Sequence, residues 1–289
     1  MKVAVTGSHG FIGSAVVAGL TSQGHVVTRV SRTSTGFHTN DLGGAEAVIH
    51  LAGEPIAQRW TPKTVAAIRE SRVAGTQHLC EALASLSTPP KVLMAASAIG
   101  YYGNRGDEIL EEYSSQGFGF LAGLCREWEA AAEPVRRRGI RIVHLRFGIV
   151  LSPSGGALKM MLPPFRLGLG GRLGSGDQYM SWIALDDIVG AVTHVLHTDT
   201  LQGPVNAVSP NPVRNQEFTK TLGRVLSRPT IFPVPAAILR LGFGRLADEM
   251  LLASARVRPL RLVKSGYIFR YPELETTLRH QLEQPRKPA

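Results

Sequence analysis

Three glycines near the start of the chain, in Gly7-Ser8-His9-Gly10-Phe11-Ile12-Gly13, have a spacing that suits phosphate binding. Gly7 permits a tight turn, Gly10 lets an anion approach the backbone, and Gly13 lets a following helix pack against the preceding strand. Free amides at the helix start, together with the helix dipole, would hold a pyrophosphate. The short β-branched run Lys2–Thr6 before the turn and the helical pattern from Gly13 to Gln23 after it supply the required context. Gly7, His9, Gly10, Phe11, Ile12 and Gly13 are therefore the first candidate contacts to a dinucleotide.

The end of the second apolar run, His25–Val30, indicates which dinucleotide. Sites for NAD(H) usually place Asp or Glu there to hold the ribose 2′-hydroxyl. Here the stretch reads Arg29-Val30-Ser31-Arg32, and the first acidic residue of the chain is Asp41. A carboxylate would repel a 2′-phosphate, whereas Arg32 can pair with one and Ser31 can donate to it. Arg29 shares a face with Ser31 and can contribute. The expected cofactor is NADP(H). A third run, Ala47–Leu51, ends in Ala52-Gly53, small residues that let a nucleotide approach, and Arg72 falls on the apolar stripe of a long helical pattern. An arginine there needs an anionic partner, or must snorkel to solvent.

These residues require a β-α-β framework. Helical patterns over Pro62–Leu86 and Leu121–Glu133 alternate with apolar runs at Lys91–Ala96 and Ile140–Leu145, so the expected fold is α/β, a Rossmann-type doubly wound parallel sheet. Between the second and third runs lie only about fifteen residues, 32–46, where a parallel crossover alone takes about ten to twelve. The usual third strand should be missing, leaving the second near the sheet edge. The dinucleotide domain is read as 1–150 with 181–210 returning to it. Residues 151–180 and 211–289 are read as a small C-terminal α+β substrate domain, ending in a strand-like Tyr267–Tyr271 and a frayed tail from Gln284.

The 289 residues are 44% hydrophobic and 19% charged, an ordinary globular composition. The net charge of +10 raises the question of nucleic acid, but the cations are dispersed. Arg136–Arg138 before Gly139 suits the end of a helix, where the dipole favours cations. No nucleic-acid partner is expected. No apolar run reaches the roughly 18–20 residues of a membrane span, and Met1-Lys2 leads straight into the first strand, so no membrane association and a cytoplasmic location are expected. Cys80 and Cys125 lie on apolar helical stripes and form no metal-ligand cluster. Lys159, Arg166 and Arg172, in a Gly/Pro-rich stretch read as a loop over the substrate, suggest an anionic substrate. Asp186-Asp187 reads as a helix cap, and His144 as a core histidine.

The chain resembles the extended short-chain dehydrogenase/reductases, in their atypical epimerase-like branch often labelled cell-division-inhibitor-like. The likeness rests on Gly7-x-x-Gly10-x-x-Gly13, Leu51-Ala-Gly-Glu54, Ser71-Arg72, Ser97-Ala-Ile-Gly-Tyr-Tyr-Gly103, Trp128-Glu129, Arg146-Phe-Gly-Ile-Val-Leu151 and Ser181-Trp-Ile183. It implies NADP(H) held through Ser31-Arg32, Leu51-Ala52, Arg72 and the Gly148-Ile149-Val150 segment. It also implies a small carbonyl, hydroxyl or sugar-nucleotide-like substrate, and an oxidoreductase or epimerase reaction, with a homodimer as the assembly left open. The chain departs from the pattern where chemistry is done. The tyrosine and lysine that usually exchange the proton fall on Leu121 and Cys125, and the catalytic hydroxyl falls on Ala98. Ser97 and Tyr101 are the nearest replacements. The alternative is a catalytically silent NADP(H)-binding regulatory protein.

Overall fold

The computed structural model describes residues 1–33 and 36–283. Along the first half run β1 (Lys2–Thr6), α1 (Phe11–Ser22), β2 (Val26–Val30), the one-turn α2 (Thr39–Leu42), β3 (Ala47–His50), α3 (Pro62–Ser85) and β4 (Val92–Ala98). A 3-10 turn at Ile99–Tyr102 leads to β5 (Ile109–Leu110), α4 (Phe120–Ala132), a 3-10 stretch at Glu133–Arg138 and β6 (Arg141–Phe147). There follow β7 (Ile149–Leu151), α5 (Gly156–Arg166), β8 (Tyr179–Met180), β9 (Trp182–Ala184), α6 (Leu185–His197) and β10 (Gly203–Ala207). The remainder comprises β11 (Val213–Arg214), α7 (Asn215–Leu226), α8 (Ala236–Phe243), a π-helical turn at Ala247–Leu251, β12 (Arg256–Val257), α9 (Leu260–Lys264) and α10 (Leu274–Glu283).

Six strands pair in the order β10-β6-β4-β3-β1-β2, every pair parallel. This is a Rossmann-like α/β fold. Period-2 alternation divides β1 between two cores. Val3 and Val5 pack with Val16 and Leu20 of α1 and with Ile188 and Val192 of α6, while Ala4 faces Leu79 and Leu83 of α3. β2 is the edge strand. Among the described residues the segment after it holds only a Thr33–Gly36 bridge and α2, so no third strand pairs outside β2. Positions 34–35 and the tail from Gln284 lie outside the described residues. A further apolar cluster joins Leu158 and Phe165 of α5 to Trp182, Phe218 and Leu278.

Three expectations need correction. The Gly/Pro-rich stretch after Leu151 is not all loop, since α5 places Lys159 and Arg166 on a helix. Asp186 and Asp187 are not caps, because α6 starts at Leu185 and Ala184 occupies the cap position without a side-chain bond. Tyr267–Tyr271 forms no strand. The buried Asp187 carboxylate takes the amides of Arg270 and Tyr271 at 2.7 and 2.9 Å, and the Tyr267 hydroxyl at 3.0 Å, so this segment is tied to a side chain rather than to a sheet edge.

A polar chain runs through the interior between β1, β3, α3 and α4. His50 lies 2.6 Å from the Thr6 hydroxyl and 3.1 Å from that of Thr76, which also accepts from the Trp128 indole at 3.0 Å. Burial lowers the His50 pKa from 6.5 to about 4, so the ring is neutral in the fold. Because the folded value lies below the unfolded one, this stability is complete above about pH 6.5 and is lost as the pH falls through about 4. The loss should amount to about 3 kcal/mol. Urea unfolding at a series of pH values should show that decline, and His50→Asn should flatten it; parallel curves for both proteins would contradict this reading.

Candidate active site

At the carboxyl end of β1 the backbone turns with Gly7 at φ +66°, and the Gly10 amide bonds the Gly7 carbonyl at 3.0 Å. A Cβ on Gly7 would stand 2.6 Å from the Leu51 carbonyl carbon and 2.7 Å from the Ala52 nitrogen. On Gly13 it would stand 2.1 Å from the Gly7 carbonyl oxygen. Neither place admits another residue without moving backbone. α1 begins immediately afterwards, with no side chain capping it and no acid in its first turn, so its leading amides face an anion-favouring crevice. Phe11 packs over the next glycine pair, for a Cβ on Gly155 would fall 2.4 Å from its ring.

The arginines around this turn play different parts. Arg29 reaches back, its Nη1 donating to the Ser8 carbonyl at 2.7 Å, and so braces the glycine turn. Ser31 and Arg32 are exposed past the end of β2, and an Arg32 Nη1 lies 3.4 Å from the point where a Cβ on Gly75 of α3 would be. Arg72 is 9% exposed. Its guanidinium lies against Gly53, 5.0 Å over the Trp128 ring, and makes one hydrogen bond, to the Ile68 carbonyl at 3.2 Å. Burial pulls its pKa down, opposed by the charge of Glu54, and no carboxylate among the described residues forms an ion pair with it. A buried cation without a counter-ion is costly unless something anionic meets it. On the far side, Ile149 opens β7, its amide bonded to the Ser181 carbonyl at 2.9 Å.

Ser97 and Tyr101, the candidate replacements, stand in different surroundings. Ser97 is buried, and its hydroxyl donates to Glu129 of α4 at 2.7 Å. Strand alternation sends Ser97 into that interior and turns Ala98 the other way. Glu129 also takes two hydrogen bonds from Arg146 of β6, both at 2.8 Å. Arg146 donates onward to the Tyr102 hydroxyl at 2.9 Å, and Tyr102 to Asn206 at 2.8 Å. The Tyr101 ring lies 3.6 Å from the Arg146 guanidinium carbon, a close cation–π contact. The Tyr101 hydroxyl has no hydrogen-bond partner among the described residues. Ser97 thus supports a buried ion pair, and Tyr101 stacks on it.

Leu121 and Cys125 are buried at the start of α4, and burial pushes the Cys125 thiol up to about 12. Neither can exchange a proton near neutral pH. Glu249, from the π-helical turn, accepts the Leu121 amide at 2.8 Å. Beyond that turn a cleft of about 330 Å³ opens, lined by Asp107, Ser175, Asp177, Gln178, Arg240 and Leu252 among others. Lys159, Arg166 and Arg172 are exposed and none of them lines it. Among the described residues no group of His, Cys, Asp and Glu is arranged to hold a metal, and no helix is long and apolar enough to cross a membrane.

Residues 3–207 match the NAD dependent epimerase/dehydratase family. The chain belongs to that family. Residues 234–281 match a second family, described as a domain of unknown function, DUF1731. An epimerase family protein of Mycobacterium tuberculosis is 42% identical over 98% of both chains. The human epimerase family protein SDR39U1 is 38% identical over 96% of this chain and 99% of its own. A crystal structure of human SDR39U1 (isoform 2) with NADPH superposes with a TM-score of 0.91 at 36% identity, covering 99% of this chain and 100% of that one.

Sequence reasoning overlooked the Glu129–Arg146 pair, although a glutamate beside a buried helical stripe and an arginine inside an apolar strand were the signal. Arg146 is 3% exposed and Glu129 12%. Removing one member strands the other, so Glu129→Ala should cost about 3–5 kcal/mol in urea unfolding. Glu129→Leu combined with Arg146→Met should recover much of that loss. A single-variant loss below about 1 kcal/mol, the size of a surface pair, would show the pair to be solvent-screened.

Proposed function

We propose that the protein binds NADP(H) across the glycine turn and acts as an oxidoreductase or epimerase on a small carbonyl or hydroxyl compound. When bound, the cofactor supplies or accepts the hydride. The supporting observation is Arg32 at the carboxyl end of β2, with no carboxylate in that stretch. The amides at the start of α1 hold the pyrophosphate, Ser31 and Arg32 hold the 2′-phosphate, and Arg72 supplies positive charge beside Gly53. Leu51, Ala52 and Ile149 line the nicotinamide end. His9 and Ile12 complete the turn. The fit rests on the cradle that any Cβ at Gly7 or Gly13 would fill, and on the unpaired buried guanidinium of Arg72.

Residues 151–180 and 211–289 are read as the substrate-bearing part, and the cleft beside Leu252 as the place of the substrate. Its lining mixes hydroxyls and carboxylates with the Arg240 guanidinium, which suits a hydroxyl-rich compound, and Lys159, Arg166 and Arg172, which suggested an anion, do not line it. A silent cofactor-binding role remains the second reading, favoured by Leu121 and Cys125 in the usual proton-exchange positions.

An arginine–phosphate bond contributes about 1.5–3 kcal/mol, so NADPH should bind about 10- to 150-fold more tightly than NADH. Calorimetric titration of both, with the native protein and with Arg32→Ala, measures this directly. The variant should lose most of the difference; equal affinities in the native protein would end the NADP(H) reading.

A further inference from the structure

We propose that the cleft beside Leu252 binds a neutral polyhydroxy compound, with Gln178 as the acceptor that sets its specificity. The proposal rests on the reading of that cleft as the substrate's place and is independent of the cofactor. Gln178 lines the cleft and is 7% exposed. Its Nε2 donates to the carbonyls of Leu173 and Leu251, both at 3.0 Å. The next residues along the chain, Gly174 and Leu252, also line the cleft, so one side-chain amide ties two of its walls together.

Those two bonds fix which way the amide faces. A carbonyl oxygen accepts and cannot donate, so the amide nitrogen must stand toward Leu173 and Leu251 and the oxygen away from them. The oxygen, Oε1, has no hydrogen-bond partner among the described residues. The fully buried side-chain atoms that lack a partner there belong to His25, Glu112, His144 and Arg256, so the Gln178 oxygen is open to the space that its residue lines. A side chain buried over nine-tenths of its surface thus holds one oriented acceptor toward the cleft. Such a group is satisfied by a donor on the ligand and rejects an analogue without one.

The charges nearby are already matched. Asp107 and Asp177 line the cleft and share Arg214, at 3.1 and 3.6 Å. Arg240, also in the lining, pairs with Asp248 at 2.9 Å. A phosphate therefore meets no unpaired cation in the lining, and an ammonium group would compete with a guanidinium already in place. The paired carboxylates keep acceptor lone pairs. The Ser175 hydroxyl accepts the Asp177 amide at 3.2 Å and keeps a proton to give. Ala236 and Leu252 add an apolar wall. Several acceptors, few donors and an apolar wall suit a ring whose hydroxyls donate and whose C–H face packs. The volume of about 330 Å³ lies at the lower end for ligand clefts, which suits one small ring better than a nucleotide.

Calorimetry and saturation-transfer NMR on the full chain without cofactor, with D-glucose, D-ribose and myo-inositol, test this. At least one should bind with a millimolar dissociation constant, and UDP-glucose should compete no better than glucose. Ala236→Phe, which fills the apolar wall, should abolish binding. For the tightest ligand, exchanging hydroxyls one at a time for fluorine removes the donor at each position. One such analogue should bind the native protein roughly tenfold more weakly. Gln178→Met should bind the parent compound as weakly as that analogue and no longer distinguish the two, whereas a purely structural loss would weaken both by the same factor. Native-like discrimination in Gln178→Met would overturn the role of Gln178. No binding of any of the three compounds, or UDP-glucose binding more than tenfold tighter in a manner that Ala236→Phe removes, would overturn the cleft assignment. A protein that binds the polyol and not NADPH would keep this proposal and lose the cofactor reading.

Discussion

The molecule is organised around a place where three stretches of backbone meet with no side chain between them. The turn after β1, the start of α1 and the end of β3 approach so closely that a single added carbon at Gly7 or Gly13 would overlap main chain. Gly7 must also adopt a positive φ, a conformation that costs other L-residues. The parallel register brings Thr6 level with both Val30 and His50, so β2 and β3 end beside the turn. The helix amides, the Ser31-Arg32 pair and the Leu51-Ala52 backbone therefore border one crevice. A bulkier turn would push α1 off the sheet and lose the apolar face that it shares with α6.

Behind this crevice charge is buried in pairs rather than left to solvent. Arg146 and Glu129 satisfy each other, and their remaining bonding capacity goes to Ser97 and Tyr102. The same network reaches the C-terminal part of the chain, where Asn206 donates to the Arg258 carbonyl and Glu112 accepts the amides of Asn206 and Arg261. Burial pushes the Glu112 carboxyl up, and among the described residues its second oxygen has no hydrogen-bond partner. Arg72 is the contrast, a buried cation with no ion pair among the described residues, attracted by the Glu54 charge only from outside ion-pair distance. That difference separates positive charge serving the fold from positive charge available to a ligand.

The parts legible in the sequence are those governed by local rules. Glycine spacing after a β-branched run marks the turn, and counting residues 32–46 excludes a full crossover, hence the missing strand and the edge position of β2. Period 2 could also have separated Ser97 from Ala98, since adjacent residues of β4 must face opposite ways. Other features depend on contacts distant in sequence. Asp187 looks like a cap because acids favour helix starts, yet its carboxylate binds amides from residues 270 and 271. No local pattern announces that Glu249 reaches the start of α4, because that contact exists only once the C-terminal segment has packed. Glycine and proline around Lys159 and Arg166 suggest a loop, whereas Pro163 and Pro164 are accommodated within α5.

A crystal structure of this protein with NADPH tests the central claim most directly. The pyrophosphate should lie within hydrogen-bonding distance of the amides at the start of α1, with the 2′-phosphate contacting Arg32 past the end of β2. A cofactor bound elsewhere, or an adenosine ribose whose phosphate points away from Arg32, would contradict it.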